Sequence, residues 1–225
     1  MKNRYKKVAH FSEAKFRYII KCFCLDLTAS DTAELCGLSR NTINKMFGQI
    51  RLRIFSLAHQ EAEGEKSLDV FECDESYFGA KRVRGKRGRG AAGKTPVFGL
   101  LKRGENVFVK VVDNCSKAEL MPIIEGKVLQ GSTINTDGWK AYDGLVVNGY
   151  DHYRVFHSHD EFARGKCHVN GIESFWSFTK RRMAKFNGLS DETFYLHLKE
   201  SEWRWNHKHD NIHKIILTEF RKNPL

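Results

Sequence analysis

Three acidic residues stand out by type, spacing and surroundings: Asp74 in the apolar run DVFECDESYFG, Asp137 closing STINTDGWKAY, and Glu173 early in HVNGIESFWSFTKRRMAKF. Sixty-two residues lie between the first pair and thirty-five between the second. Transfer of a phosphodiester by two divalent ions requires carboxylates from separate elements converging on one point. The ions sit about 4 Å apart and stabilise the attacking and leaving oxygens of an in-line displacement. Mg²⁺, or Mn²⁺ in its place, suits such a site because it takes oxygen ligands and keeps water positions open for substrate. Asp74, in a central first strand, is the candidate to bridge both ions; Asp137 would hold one and Glu173 the other.

Neighbouring acids compete for these roles. Glu75 follows Asp74 directly, so strand alternation sends it to the opposite face, whereas Glu72 shares the face of Asp74 and is the weaker rival. A carboxylate flanked by Phe71, Cys73 and Tyr77 is costly to place without a partner, which favours a functional Asp74. On the helix, Ile172, Phe175, Trp176, Met183 and Phe186 recur as a core face. Asn170, Glu173, Ser177 and Lys180 fall on a neighbouring stripe, with Lys180 two turns beyond Glu173 and able to meet a DNA phosphate.

These residues need a scaffold, and the hydropathy pattern supplies one. Val70–Phe78, Val97–Leu101 and Val107–Val112 read as strands, then Lys117–Leu129 as a helix that tolerates Pro122 near its first turn. Thr133–Asp137 is a fourth strand, Trp139–Val147 a short helix and Tyr153–His157 a fifth strand. Helices follow over Val169–Phe186 and Asp191–Trp205, where Trp203 is expected in the core. This order predicts an α/β fold: an RNase H-like mixed five-stranded sheet flanked by helices, with short, right-handed connections.

The first sixty residues read as helices. Phe16, Ile19, Ile20, Phe23 and Leu27 have helical spacing. Ser30 or Asp31 can cap a second helix, Gly37 permits a left-handed turn, and Ser39 can cap a third. That third helix presents Arg40, Asn41, Asn44 and Lys45 on its first turns, with Ile43, Met46 and Phe47 inward. The pattern is that of a helix-turn-helix, whose second helix enters the major groove of DNA. The expected organisation is a helix-turn-helix domain over 1–60, a linker near His59–Ser67, a catalytic domain over 68–210 and a C-terminal tail over 211–225.

Charge agrees with a nucleic-acid partner. The 225 residues hold 38 Lys and Arg against 27 Asp and Glu, a net charge of +11, and neutralised phosphates release condensed counterions. Seven Lys and Arg with no acid lie between Lys81 and Lys94, Lys86, Arg87 and Arg89 among them, and read as a loop gripping DNA phosphates. Gly88–Thr95 also fits the nucleotide-binding pattern G-x-x-x-x-G-K-[ST], but its basic lead-in and Pro96 do not provide the strand-to-helix setting that pattern needs, so no nucleotide is expected. Arg204, His207 and Lys208 are further basic residues whose DNA contact the sequence leaves open. Six cysteines without a C-x-x-C pair read as free thiols, and His157, His159, Cys167 and His168 match no common zinc spacing. No stretch approaches a membrane span and the first residues lack a signal-peptide core, so a cytoplasmic, nucleoid-associated protein is expected.

At this point the chain resembles a family: DDE transposases of bacterial insertion sequences, particularly the ISXO-like group related to the eukaryotic Merlin elements, within the RNase H-like integrase superfamily. CDESYFG, GKTPVFGL, TDGWKAYDGL, HVNGIESFWSFTKRRMAKFNG and EWRWN carry the resemblance, from about Val70 to Asn206. It implies Mg²⁺-dependent cleavage and strand transfer at element ends, with Asp74, Asp137 and Glu173 as catalytic acids and Lys180 as the accompanying basic residue. Some relatives place Asn as third ligand within H-x-N-x-x-E, so by this resemblance Asn170 either shares the role of Glu173 or takes it. Many relatives carry a zinc ribbon ahead of the helix-turn-helix; this sequence shows none, so end recognition is expected from the helices. The implied partners are double-stranded DNA, as terminal inverted repeats and target, and further copies of the chain in a homodimer or larger synaptic complex. A non-catalytic DNA-binding regulator and an RNase H-like nuclease without strand transfer are the competing readings.

Overall fold

A computed structural model describes residues 3–7, 10–62, 66–79, 94–137, 142–155, 168–186 and 188–225. The elements in chain order are α1 (Glu13–Cys24), α2 (Ala29–Cys36), α3 (Arg40–Ala62), β1 (Val70–Phe78), β2 (Thr95–Lys102), β3 (Val107–Val111), α4 (Lys117–Lys127), β4 (Thr133–Asp137), β5 (Asp151–Val155), α5 (Asn170–Ala184), α6 (Asp191–Asn206) and α7 (Ile212–Lys222). They fall into two compact units, one of Met1–Ala58 with His207–Leu225 and one of His59–Asn206.

The first unit is helical because its apolar residues recur at helical spacing and its helix starts are capped. Ser12 Oγ accepts the Lys15 N–H at 3.2 Å, and Thr28, rather than Ser30 or Asp31, caps α2 through the Asp31 N–H. A threonine hydroxyl in extended backbone does this as the predicted residues would, and starts the helix two or three residues earlier. Gly37 adopts the left-handed conformation, with φ of 59°, and ends α2. Ser39 Oγ then accepts the Thr42 N–H at 3.1 Å. Phe16, Ile19, Ile20, Phe23, Ile43, Met46 and Phe47 are buried.

Residues 211–225, expected as a tail, contain α7, which packs on α1: Phe220 meets Phe16 edge-on with centroids 5.9 Å apart. Glu219 bonds Arg53 at 2.7 Å in the same unit. The segment from His59, expected as a linker, begins inside α3, which continues to Ala62.

The second unit holds a five-stranded sheet of order β3-β2-β1-β4-β5. β1 runs antiparallel to β2 and parallel to β4; β2–β3 is antiparallel and β4–β5 parallel. This is the RNase H-like arrangement that the order of strands and helices predicts. Alternation splits β1 between two faces. Phe71 and Cys73 join Phe98, Leu100, Leu120 and Ile124 on the α4 side. Phe78 joins Val97, Leu101, Ile172, Phe175 and Trp176 on the α5 side.

Two expected elements differ. Residues 142–149 form a run of turns, with Asn148 N–H bonded to Gly144 and Leu145 carbonyls, where a helix was expected. β5 begins at Asp151, two residues before the expected Tyr153, because pairing with β4 aligns Thr133 with Asp151. His157 lies outside the described residues.

The free edge of β3 is finished by a helix rather than a strand. Asn206 accepts the Val107 N–H at 2.8 Å and donates to the Val107 carbonyl at 3.0 Å. Glu202 accepts the Val109 N–H at 2.9 Å, and Lys199 donates to the Val109 carbonyl at 2.9 Å. Side chains of α6 thus satisfy backbone groups that an open edge would leave available to another chain.

Candidate active site

Asp74 occupies the centre of β1, paired in register with Gly99 of β2. The parallel register that aligns Cys73 with Thr136 brings the next residues, Asp74 at mid-strand and Asp137 at the end of β4, side by side. Both point to the face covered by α5, whose first turn carries Glu173. The three acids therefore arrive from a central strand, its parallel neighbour and the helix across the sheet.

Their proximity registers electrostatically. The Asp74 carboxyl is pushed up to about 6, first by burial and then by the charges of Asp137 and Glu173. The Glu75 N–H and the Trp176 indole offset part of this rise. That indole N–H is buried and makes no hydrogen bond of normal geometry, so its influence on Asp74 is that of a nearby dipole rather than a formed bond. Trp176 reaches this position because Gly99 has no side chain: a Cβ there would stand 2.5 Å from the Trp176 ring and 2.9 Å from Ile172.

On α5 the stripe of Asn170, Glu173, Ser177 and Lys180 is exposed, while Ile172, Phe175, Trp176 and Met183 are buried. Phe186 is only half-buried. Asn170 lies one turn before Glu173 on the same stripe. The Lys180 ammonium sits 5.7 Å above the Phe78 ring, at the end of the strand that carries Asp74. This cation–π contact holds a positive charge on the site's rim.

The rival acids have other partners. Glu75 faces the α4 side, where the Tyr142 hydroxyl donates a short hydrogen bond to it. Burial raises its carboxyl to about 7 despite that bond, with Asp74 and Asp137 adding to the rise. Glu72 faces α5, as alternation requires, but bonds Arg103 at 3.1 Å and the Ile172 N–H at 2.9 Å. His168, considered above with a zinc set, lies 3.4 Å from Glu72; His157, His159 and Cys167 are outside the described residues.

An all-oxygen donor set of carboxylates suits a hard divalent cation. The raised Asp74 carboxyl, crowded by two other acids, is the electrostatic signature such a cation would relieve. Among the described residues, no three His, Cys, Asp or Glu side chains are gathered tightly enough to hold a metal as they stand.

The remaining predicted residues lie elsewhere. Arg40, Asn41, Asn44 and Lys45 are exposed on the first turns of α3, with Ile43, Met46 and Phe47 buried beneath. Lys86, Arg87 and Arg89 fall outside the described residues. Thr95, the last residue of the nucleotide-binding pattern, opens β2 instead of a helix. No helix among the described residues is long and apolar enough to cross a membrane.

Sequence reasoning missed three features around these acids: the Glu75–Tyr142 bond, the Gly99–Trp176 approach and the anchoring of α5 by Glu72. Only Gly99 left a signal, a glycine inside a strand pattern, which marks close approach by another element.

Residues 67–206 match the family model described as the ISXO2-like transposase domain. An uncharacterized transposase-like protein of Haemophilus influenzae is 41% identical over 119 residues, covering 53% of this chain and 96% of that protein. An uncharacterized protein in transposable element ISH50 of Halobacterium salinarum is 26% identical over 164 residues, covering 68% of this chain and 56% of that protein. Among solved structures, the catalytic core domain of BIV integrase aligns with a TM-score of 0.40 and 10% identity, over 69% of this chain and 98% of that one. The Mos1 strand transfer complex aligns with a TM-score of 0.38 and 12% identity, over 96% of this chain and 79% of that one.

Proposed function

We propose that this chain, which belongs to the ISXO2-like transposase family, cuts and joins DNA at the ends of its own element. The observation that carries the reading is Asp74, raised to about 6 by burial and by Asp137 and Glu173 converging from two other elements. Asp74, Asp137 and Glu173, with Asn170 sharing or taking the role of Glu173, would hold two Mg²⁺ or Mn²⁺ ions. Bound there, the ions would supply Lewis-acid stabilisation of the attacking and leaving oxygens. The carboxylates orient the site, the apolar floor of Phe78 and Trp176 limits water beneath it, and Lys180 holds a DNA phosphate at its rim.

The first unit would read the terminal inverted repeats. Arg40, Asn41, Asn44 and Lys45, exposed on the first turns of a helix that follows a left-handed turn, suit contact in the major groove. The basic run containing Lys86, Arg87 and Arg89 would bind the backbone without regard to sequence. Two ends cut together call for two or more copies of the chain, acting on the bacterial nucleoid.

Purified protein incubated with element-end DNA and Mg²⁺ or Mn²⁺ tests the reading. Asp74→Ala, Asp137→Ala and Glu173→Ala should each abolish cleavage, and survival of cleavage in any one removes that acid from the site. Asn170→Ala assigns the third ligand. Joining of the exposed 3′-hydroxyl to a second DNA separates a transposase from a nuclease, and end binding without cleavage would indicate a DNA-binding regulator.

A further inference from the structure

Glu72 lies two residues before Asp74 on the same face of β1 and is 1% exposed. One carboxylate oxygen takes the Arg103 Nε–H at 3.1 Å, with His168 Nδ1 3.4 Å away. The other accepts the backbone N–H of Ile172 at 2.9 Å, a bond spanning 100 residues of chain. Ile172 is in the first turn of α5, next to Glu173, and Val169 at the N-cap makes no side-chain capping bond. A helix start has N–H groups without intrahelical partners and carries partial positive charge. Here a strand carboxylate, rather than a local Ser or Asp, supplies the acceptor.

Two further features tighten the same joint. Arg103 Nη2 donates to the His168 carbonyl at 2.7 Å, so the residue that pairs with Glu72 also holds the chain entering α5. At Gly171 a Cβ would stand 2.9 Å from Glu72 Oε2 and 3.1 Å from Leu101. Only glycine lets this turn sit so close to β1.

We infer that Glu72 is a positioning residue: it pins the first turn of α5 to the strand bearing Asp74, and so sets where Glu173 and Asn170 meet Asp74 and Asp137. The inference rests on the reading that those acids hold divalent ions. Positioning rather than ligation is the role assigned to Glu72, because its oxygens are directed to Arg103 and the Ile172 N–H. A carboxylate on a central strand is held in place by the backbone ladders on both sides of that strand.

The test is Mn²⁺ titration of the full chain without DNA, read by loss of the free Mn²⁺ paramagnetic resonance signal. Asp74→Ala should lose binding. Glu72→Ala and Gly171→Ala should each weaken it about 10- to 100-fold, the range for residues that orient ligands from behind. Glu72→Gln, which keeps an oxygen for the Ile172 N–H, should fall between wild type and Glu72→Ala. Combining Glu72→Ala with Gly171→Ala should weaken binding no further than Glu72→Ala alone, because both break one joint. Amide exchange at Ile172 should accelerate in Glu72→Ala. If Glu72→Ala fails to fold, Glu72→Gln and Gly171→Ala carry the comparison.

Wild-type affinity in the Glu72 variants, with binding lost in Asp74→Ala, overturns the inference and leaves the proposed function standing. Loss of binding in Glu72→Gln as complete as in Asp74→Ala makes Glu72 a ligand and also overturns it. Undiminished binding in Asp74→Ala removes the metal reading, and the inference falls with it.

Discussion

Two groups of charge in the second unit are built on opposite rules. In α6, Glu200 meets both Arg182 and Arg204, and Lys199 meets Glu202 at 2.7 Å. In β1, Asp74 meets the fields of Asp137 and Glu173, which add to the effect of burial. Burial also pushes Glu202 upward, but Lys199 and the Val109 N–H pull it back. The α6 charges close on one another and hold the sheet edge. Asp74, Asp137 and Glu173 instead repel one another, a state that lowers stability and suits a site where a cation is to be bound.

The largest expected effect comes from breaking the paired group. Glu200 is fully buried and its two arginines are 2% and 8% exposed at their side chains. Glu200→Ala should destabilise the second unit by about 3–5 kcal/mol, since two guanidinium groups lose their shared buried counter-charge. Urea unfolding measures this, and a loss below about 1 kcal/mol would erase the distinction between the two groups.

Asp74→Asn should move stability the other way. In metal-free protein at pH 7 the carboxylate is held ionised against burial and its acidic neighbours, and each unit of raised pKa corresponds to about 1.4 kcal/mol. Neutralising it should stabilise the fold by on the order of 2 kcal/mol while abolishing the proposed cleavage. Destabilisation of similar size would instead mark Asp74 as an ordinary paired structural acid.

The same contrast sets a pH dependence. The Asp74 carboxyl titrates near the ordinary aspartate value of 3.8 when unfolded and is pushed up to about 6 when folded. Glu75 behaves alike, moving from 4.5 to about 7. Between these values the folded chain holds more protons than the unfolded one, so stability is highest below about pH 4 for these groups and falls as pH rises towards 7. Thermal unfolding in chelator should show this decline, with a shallower slope in Asp74→Asn. An equal slope in the two proteins would mean that the decline arises elsewhere.

The sequence made one of these groups legible and hid the other. Asp74 was visible because an acid between Phe71, Cys73 and Tyr77 conflicts with its surroundings, and Thr133–Asp137 was bounded correctly by its β-branched Thr133, Ile134 and Thr136. The Glu173 stripe followed from helical spacing alone. In α6, by contrast, KESEWRWN reads as a charged surface around a buried Trp203, yet Lys199, Glu200, Glu202 and Arg204 are all buried. Nothing local announces this, because the partners are the edge of β3 and Arg182 on α5, distant in the chain. Glu72 was hidden for the same reason: alternation names its face, but not the helix turn that arrives there 100 residues later. The α7 segment escaped notice because its apolar face is short and its partner, α1, lies at the other end of the sequence.

The smallest effect should come from Asn206, the neutral member of the α6 group. Its amide bonds both the N–H and the carbonyl of Val107 from a half-buried position on the sheet edge. Asn206→Ala removes both bonds, but water can reach part of the vacated edge, so the expected loss is about 1–2 kcal/mol rather than the larger penalty of a stranded buried charge. Amide exchange at Val107 should accelerate while Val109, still held by Lys199 and Glu202, keeps its protection. Acceleration at both positions would show that the edge opens as one unit, with the charged pair and the neutral amide acting together. Unchanged exchange at Val107 would mean that β2 alone holds the strand and that α6 contributes only through its buried ion pairs.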